Sequence, residues 1–256
     1  FDINAGSNST GVISYSSSNT NVATISGNTV TIVGAGSAII TATQVADNNY
    51  LSGSTTAILT VAKATPTVSL ANINKVYGNA AFNLQASSSS SGAFTYTSSD
   101  TSIATVSGNT LTIVGAGSAT ITVNQQEDAN YLAGTANGVL TVAAARPTIS
   151  LANISKVYGD EDIILAATTN STGAITYYIS DEAIALAHTH GSRVCILGAG
   201  TVTIKAVVAA DNNYLSDSTT ATLTIAKANP TITLSDVAKV FGDADFVINA
   251  NSNSTG

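Results

Sequence analysis

Three groups of side chains in this sequence are of types that do chemistry. The first is the segment Ala187-His188-Thr189-His190-Gly191-Ser192-Arg193-Val194-Cys195, which holds both histidines and the single cysteine of the chain. If Gly191-Ser192 form a hairpin turn, His190 opposes Arg193 and His188 opposes Cys195, so His188, His190 and Cys195 share one outer face. Imidazole and thiolate are good Zn²⁺ ligands. Three ligands beside a guanidinium make a poor cation site, and a variable, exposed hairpin tip is expected instead. The second group is Asp47, Asp128 and Asp211, each followed within two residues by Asn. Such oxygens suit Ca²⁺, but Asp and Asn also build turns by bonding their own backbone. Turn chemistry is expected; calcium is the one cofactor these residues raise, and none is required. The third is Asp160-Glu161-Asp162, read as a solvated loop rather than an acid/base pair. No Ser-His-Asp set recurs along the chain and no G-x-S-x-G is present. The reading is therefore not an enzyme.

The elements that hold these residues are set by repetition, the first thing to look for in a sequence of this kind. Asn28 to Ala38 reads NTVTIVGAGSA and Asn109 to Ala119 reads NTLTIVGAGSA, identical at ten of eleven positions. Val194 to Val202, VCILGAGTV, is a third copy; the offsets are 81 and then 83 residues. Asp47 to Leu51, Asp128 to Leu132 and Asp211 to Leu215 recur in step, as do Lys75-Val-Tyr77-Gly, Lys156-Val-Tyr158-Gly and Lys239-Val-Phe241-Gly. This period exceeds the roughly 20–50 residues of solenoid and blade repeats and suffices for a unit with its own core. Pro66, Pro147 and Pro230 each close an Ala-rich stretch, where a residue unable to donate to a central ladder marks a strand start or linker. The expected organisation is a repeat over 1–65 without its first strand, complete repeats over 66–146 and 147–229, and the start of another over 230–256. The chain thus opens and closes inside a repeat, and further copies are expected to flank it.

Within the second copy, alternation gives a first strand from Thr67 to Leu70 continuing toward Val76, then Phe82 and Leu84, a polar loop over Ser87 to Gly92, and Phe94 with Tyr96 on one face. Ala104 and Val106 follow, then Gly108-Asn109 as a two-residue hairpin signal, then Leu111 and Ile113. Ala119, Ile121 and Val123 form the next strand and Val139 to Val142 the last. About seven short alternating strands with turn signals between them specify an immunoglobulin-like β-sandwich. Tyr15, Tyr96 and Tyr177 share one repeat position and are expected to be structural core residues whose hydroxyl reaches a partner at the rim.

Composition agrees. Charged residues are 9% of the chain, against roughly 25% in ordinary soluble domains; Ser, Thr and Asn supply the polarity. Thr, Val and Ile favour pleated strands. A net charge of −7 argues against a nucleic-acid partner, which would demand a basic stripe. No apolar run approaches the roughly 20 residues of a membrane-spanning helix.

Tyr96 to Thr122, YTSSDTSIATVSGNTLTIVGAGSATIT, resembles the bacterial Ig-like repeats of large surface adhesins. The D-x-N-Y-L and A-K-A-T-P elements are similar to versions in Bacteroidota, including gliding-motility adhesins. The resemblance covers the whole chain and departs from the family in one respect: Tyr stands where many such repeats carry Trp. It implies an extracellular, cell-surface location, no catalytic residues, and a structural stalk extending a binding tip. Partners would be neighbouring repeats of the same chain and an unidentified surface, glycan or secretion/motility machinery. The alternatives are a carbohydrate- or protein-binding module, with Tyr178 and Tyr131 as exposed aromatics, or the spacer of a secreted enzyme. At the junctions, short linkers without Gly/Ser runs predict a semi-rigid rod. Tyr77-Gly78 and Gly115-Ala116-Gly117 of one copy are expected to approach Asp211 to Tyr214 of the next, with Tyr158 and Tyr131 at the equivalent junction positions of their own copies and Pro66, Pro147 and Pro230 in the linkers.

Overall fold

The computed structural model describes residues 1–254, with the side chain of His190 outside that description. The chain divides into two compact units, residues 1–143 and 144–256, and strands make up nearly all of its regular structure.

Unit 1–143 holds two sets of strands. The first comprises β1 (Ile13–Ser17), β2 (Ala23–Ser26), β3 (Thr29–Ile32), β4 (Gly36–Gln44) and β5 (Gly53–Val61). They form a β1-β4-β5 sheet and a β2-β3 hairpin, and Asp2 bridges to Thr29. The second comprises β6 (Val68–Leu70), β7 (Ile73–Val76), β8 (Phe82–Asn83), β9 (Ala86–Ser88), β10 (Phe94–Ser98), β11 (Ala104–Ser107), β12 (Thr110–Ile113), β13 (Gly117–Gln125) and β14 (Gly134–Ala143). One sheet runs β10-β13-β14-β7, the other β11-β12-β8, and β6 pairs with β9. Leu84, Ala104 and Leu111 from one side meet Ile121, Leu140 and Val142 from the other in a single buried cluster. That is a β-sandwich, and the alternation of buried and exposed residues along β13 and β14 follows from the two-residue period of a strand.

Two features correct the expectation from sequence. Thr67 to Val76 is not one strand. β6 pairs antiparallel with β9, whereas β7 crosses over to pair parallel with β14, Leu140 opposite Ile73 and Ala143 opposite Val76. The side chain of Asn72 stabilises the crossover by accepting the Val139 N–H at 2.9 Å. In addition, Ala86–Ser88 is a strand, so the polar loop is shorter than the spacing suggested. The Gly108-Asn109 turn is present, with Ser107 opposite Thr110 and Gly108 at φ 62°.

Unit 144–256 repeats the plan with β15 (Ile149–Ser150), β16 (Ile154–Val157), β17 (Ile163–Ile164), β18 (Thr168–Thr169), β19 (Ile175–Ile179), β20 (Ala185–Ala187), β21 (Arg193–Ile196), β22 (Gly200–Val208) and β23 (Asp217–Ala226). β16 again lies parallel to β23, and Ile163, Leu165, Tyr177, Ile204 and Leu223 share a buried core. Beyond it, among the described residues, only β24 (Ile232–Thr233) and β25 (Asn251–Ser252) pair. The molecule is a tandem array of immunoglobulin-like β-sandwiches.

Candidate functional site

The recurring Asp-x-Asn-Tyr element lies between the two longest strands of a sandwich. Asp128 Oδ1 accepts the N–H groups of Asn130 and Tyr131, both at 2.8 Å, which closes a turn. Its Oδ2 accepts the Ser91 N–H and the hydroxyls of Ser90 and Ser91 at 2.8–2.9 Å. One carboxylate thus ties the loop before β10 to the loop after β13. Asp47 holds Ser9 and Thr10 in the same way, and Asp211 holds Ser171 and Thr172.

These bonds hold each carboxyl well below the usual carboxylate range. For Asp47 the Ser9 hydroxyl contributes most, and for Asp128 the Asn130 N–H. At Asp211 partial burial pushes upward, and the Asn213 N–H and the Thr172 contacts outweigh it. Five proton donors fill the oxygens of each carboxylate, which is turn chemistry; a cation would have to displace those donors. The clamp's hydroxyls come from Ser9 and Thr10 in the first copy and from Ser171 and Thr172 in the third.

The clamped loop receives the preceding linker. Ala64 forms a parallel bridge with Tyr131: its N–H donates to Asn130 O and its carbonyl accepts the Leu132 N–H, both at 2.9 Å. Asn130 reaches further, its Oδ1 accepting the Ala35 N–H of the first set of strands at 2.8 Å. The Gly-Ala-Gly turn of one copy therefore meets the Asn-Tyr loop of the next. A Cβ on Gly34 would lie 2.9 Å from Asn130 Oδ1 and 2.7 Å from Asn21 O, so this approach depends on glycine. Lys63 and Glu127 add an exposed ion pair at 3.3 Å, of the kind that contributes little. Pro66 is buried, against Gly134 at the start of β14.

In unit 144–256 the same bridge recurs: the Ala145 N–H donates to Asn213 O at 2.9 Å, its carbonyl accepts the Leu215 N–H at 2.8 Å, and Ala145 pairs with Tyr214. Pro147 is buried there, whereas Pro230 is exposed. Tyr77 donates its backbone N–H to Ala143 O and packs on the core edge. Tyr158 is about half exposed and borders a cleft with Leu197 and the Lys227–Pro230 linker.

The three strand tyrosines act alike. Tyr15, Tyr96 and Tyr177 accept the N–H of Ala5, Ala86 and Ala167 at 2.8, 3.2 and 2.9 Å. Each satisfies a backbone donor that the neighbouring ladder leaves over. Tyr177 is buried, while Tyr15 and Tyr96 are half-buried. Gln125 was not singled out from sequence, although it is buried. Its amide donates to the carbonyls of Ser90 and Gly92, and its Oε1 accepts from Ser88. Gln44 at the matching position makes the same contacts, and its recurrence in step was the available signal.

The histidine segment differs from expectation. Cys195 opposes Leu186, not His188, because the two extra residues form a 3₁₀ turn over His188–His190, with Thr189 at φ 47°, instead of lengthening the hairpin. His188 Nε2 still lies 3.0 Å from Cys195 Sγ. The thiol donates to Asp162 at 3.3 Å, and Arg193 pairs with the same carboxylate at 2.7 Å. The Asp162 bond first, then burial, raises the Cys195 pKa, which disfavours the thiolate. His190's side chain lies outside the described residues. Among the described residues no group of three or more His, Cys, Asp or Glu could hold a metal ion. Glu161 and Asp162 border an open surface depression with Ile164 and Arg193. Tyr178 is 45% exposed and Tyr131 half-buried.

Sheet topology, the tyrosine pins and the linked loops define the class as tandem immunoglobulin-like domains. Residues 81–136 match the bacterial Ig-like domain (group 2) family. No curated protein sequence matches the chain. Among solved structures the chain is similar to Drosophila N-cadherin EC1-4, at 12% identity and TM-score 0.35, covering 86% of this chain and 67% of that one. It is also similar to domains 4-9 of the surface layer protein SbsC, at 15% identity and TM-score 0.26, covering 87% and 40%. A SusE-like surface located polysaccharide binding protein from Bacteroides thetaiotaomicron matches at 10% identity and TM-score 0.25, covering 82% and 43%. No helix among the described residues is long and apolar enough to cross a membrane.

Proposed function

We propose that this chain is a structural spacer in a bacterial cell-surface adhesin, built to hold a binding element away from the cell while contributing no catalysis. The observation that supports this best is the treatment of the linker. Ala64 and Ala145 are not free tethers. Each is hydrogen-bonded on both sides into the Asn-Tyr loop of the following sandwich. An ordered linker restricts the relative motion of neighbours, which is the property a spacer needs and a flexible tether lacks. Repeats whose stability comes from their own cores can be multiplied without changing the design. The acidic, weakly charged surface suits an extracellular, self-repelling array.

The test is to vary the number of copies between an anchored base and a reporter adhesin on a bacterial surface. Adhesion under flow should depend on copy number and be indifferent to alanine at Tyr178 or Tyr131. A glycan array or peptide library yielding a specific ligand that Tyr178→Ala abolishes would replace this reading with a binding module.

A further inference from the structure

In the second and third sandwiches an early strand and the last strand of one sheet run the same way. β7 lies beside β14 with Ile73 opposite Leu140 and Val76 opposite Ala143, and β16 lies beside β23 with Ile154 opposite Leu223 and Val157 opposite Ala226. The chain reaches β7 or β16 at its N-terminal end and leaves β14 or β23 at its C-terminal end. Tension along the chain therefore pulls the two partners in opposite directions along a common axis. The evenly spaced bonds of a parallel ladder are then strained together in shear. Strands pulled apart from one shared end give up their bonds one after another.

Each of these ladders is lengthened at both ends. Ahead of β7 the Asn72 side chain accepts the Val139 N–H at 2.9 Å, and ahead of β16 Asn153 accepts the Thr222 N–H at 2.8 Å. Past the strands, the Tyr77 N–H donates to the Ala143 carbonyl at 2.8 Å and the Tyr158 N–H to that of Ala226 at 2.9 Å. The turn that follows is itself fixed: Asn79 Oδ1 accepts the Val76 N–H at 3.0 Å, and Asp160 Oδ2 accepts the Val157 N–H at 2.9 Å. Leu140 and Val142 bury one face of β14, and Leu223 and Ile225 one face of β23. The strands before the crossover are held more lightly, β6 to β9 by three residue pairs and β15 to β18 by two. They yield first, and the load then falls on Asn72 or Asn153 at the leading end of the parallel ladder.

We propose that the parallel pairs β7–β14 and β16–β23, with the Asn72 and Asn153 side chains as their leading bonds, are load-bearing clamps that let each sandwich carry tension along the chain. The proposal deepens the spacer reading and rests on it for its purpose: a spacer between a cell and a surface is pulled at both ends. Resistance to force is set by the rate of unfolding and not by equilibrium stability. A bond inside the loaded ladder therefore counts for more under tension than an equal bond elsewhere in the same sandwich.

Optical-tweezers pulling of the full chain at constant load, on a Cys195→Ser background so that handles attach only where placed, tests this. Held by its two ends, the chain should show one resistant unfolding event for the second sandwich and one for the third. Asn72→Ala should speed the unfolding of the second sandwich under load by roughly three- to tenfold, the worth of one net hydrogen bond, and leave the third unchanged. Ser99→Ala is the comparison. Ser99 Oγ accepts the Thr120 N–H on β13 at 2.9 Å, a bond of the same kind and length outside the loaded pair. Its loss should speed unfolding less under load, although both variants unfold at similar denaturant concentrations. Handles at Ala80→Cys and Arg146→Cys, both exposed positions, pull β7 and β14 from the same end, and the second sandwich should then open at a lower force. Equal forces in the two directions, or an Asn72→Ala rate no faster than that of Ser99→Ala, would overturn the proposal. Adhesion indifferent to copy number would instead strike the spacer reading and leave the clamp standing.

Discussion

The first two sandwiches of the array share residues at most inward positions but not their burial. On β14, Leu140 and Val142 are 0% and 3% exposed, and Ile121 and Leu111 beside them are fully buried. Their counterparts on β5, Leu59 and Val61, are only half-buried. The buried apolar residues of the first set are Val22, Ala23, Val30 and Ala38. The difference lies in β6 and β7, which pair with opposite sheets and seal the second sandwich along one side. Alternation along a strand decides which residues face inward. Closure of that face depends on a strand remote in sequence that must leave one sheet and join the other.

The largest expected effect tests this contrast directly. Leu140→Ala should cost about 2–5 kcal/mol, the range for a buried leucine that leaves a cavity. Leu59→Ala should cost under about 2 kcal/mol, because Leu59 is only half-buried. Denaturant unfolding of the full chain, followed by residue-resolved NMR, separates the two; equal losses would remove the distinction.

Next in size is the carboxylate clamp. Asp128→Ala removes five acceptor contacts at once and should destabilise more than loss of any single hydrogen bond in that loop. The pH dependence has a fixed sign. A folded carboxyl held below its unfolded value stabilises fully above the unfolded value of about 3.9, and that contribution fades as pH falls toward the folded value. Stability should therefore drop below about pH 4, and less steeply in Asp128→Ala. A parallel loss in the variant, read by acid titration with circular dichroism, would assign acid unfolding elsewhere.

Smaller again is Tyr96→Phe, which strands the Ala86 N–H and should cost about 0.5–1.5 kcal/mol. Tyr15→Phe should cost less, since in the open first sandwich water can replace the hydroxyl; the measurement is the shift in denaturant midpoint. Smallest is Asn130→Ala, which removes one exposed bond to Ala35. It should lower the coupling between the unfolding of the first and second sandwiches by under about 1 kcal/mol and leave each core unchanged.

Much of the sandwich was legible because the chain repeats itself. The Gly108-Asn109 turn, the inward faces of β11 to β13 and the meeting of the Gly-Ala-Gly turn with the Asn-Tyr loop all followed from period and alternation. The crossover between β6 and β7 was missed, although a signal existed. Val68 and Leu70 are inward at even positions and Ile73 at an odd one, a slip of phase at Ala71-Asn72 that one continuous strand cannot make. The partners of Asp128 lie 37 and 38 residues earlier, beyond any local turn rule, yet hydroxyl pairs recur before each Asp at nearly the same distance. The histidine turn was not legible: an insertion found once offers no second copy to align, and Thr189 adopts a left-handed backbone that its residue type does not announce.

The ordered linker is the centre of this account, and native-state hydrogen exchange reads it most directly. The amides of Ala64, Leu132, Ala145 and Leu215 make the bridging bonds. They should be protected to a degree comparable with the adjoining strands β14 and β23. Exchange at the rate of the exposed Ser and Gly loops would mean that the linkers are loose, and the spacer reading would not survive it.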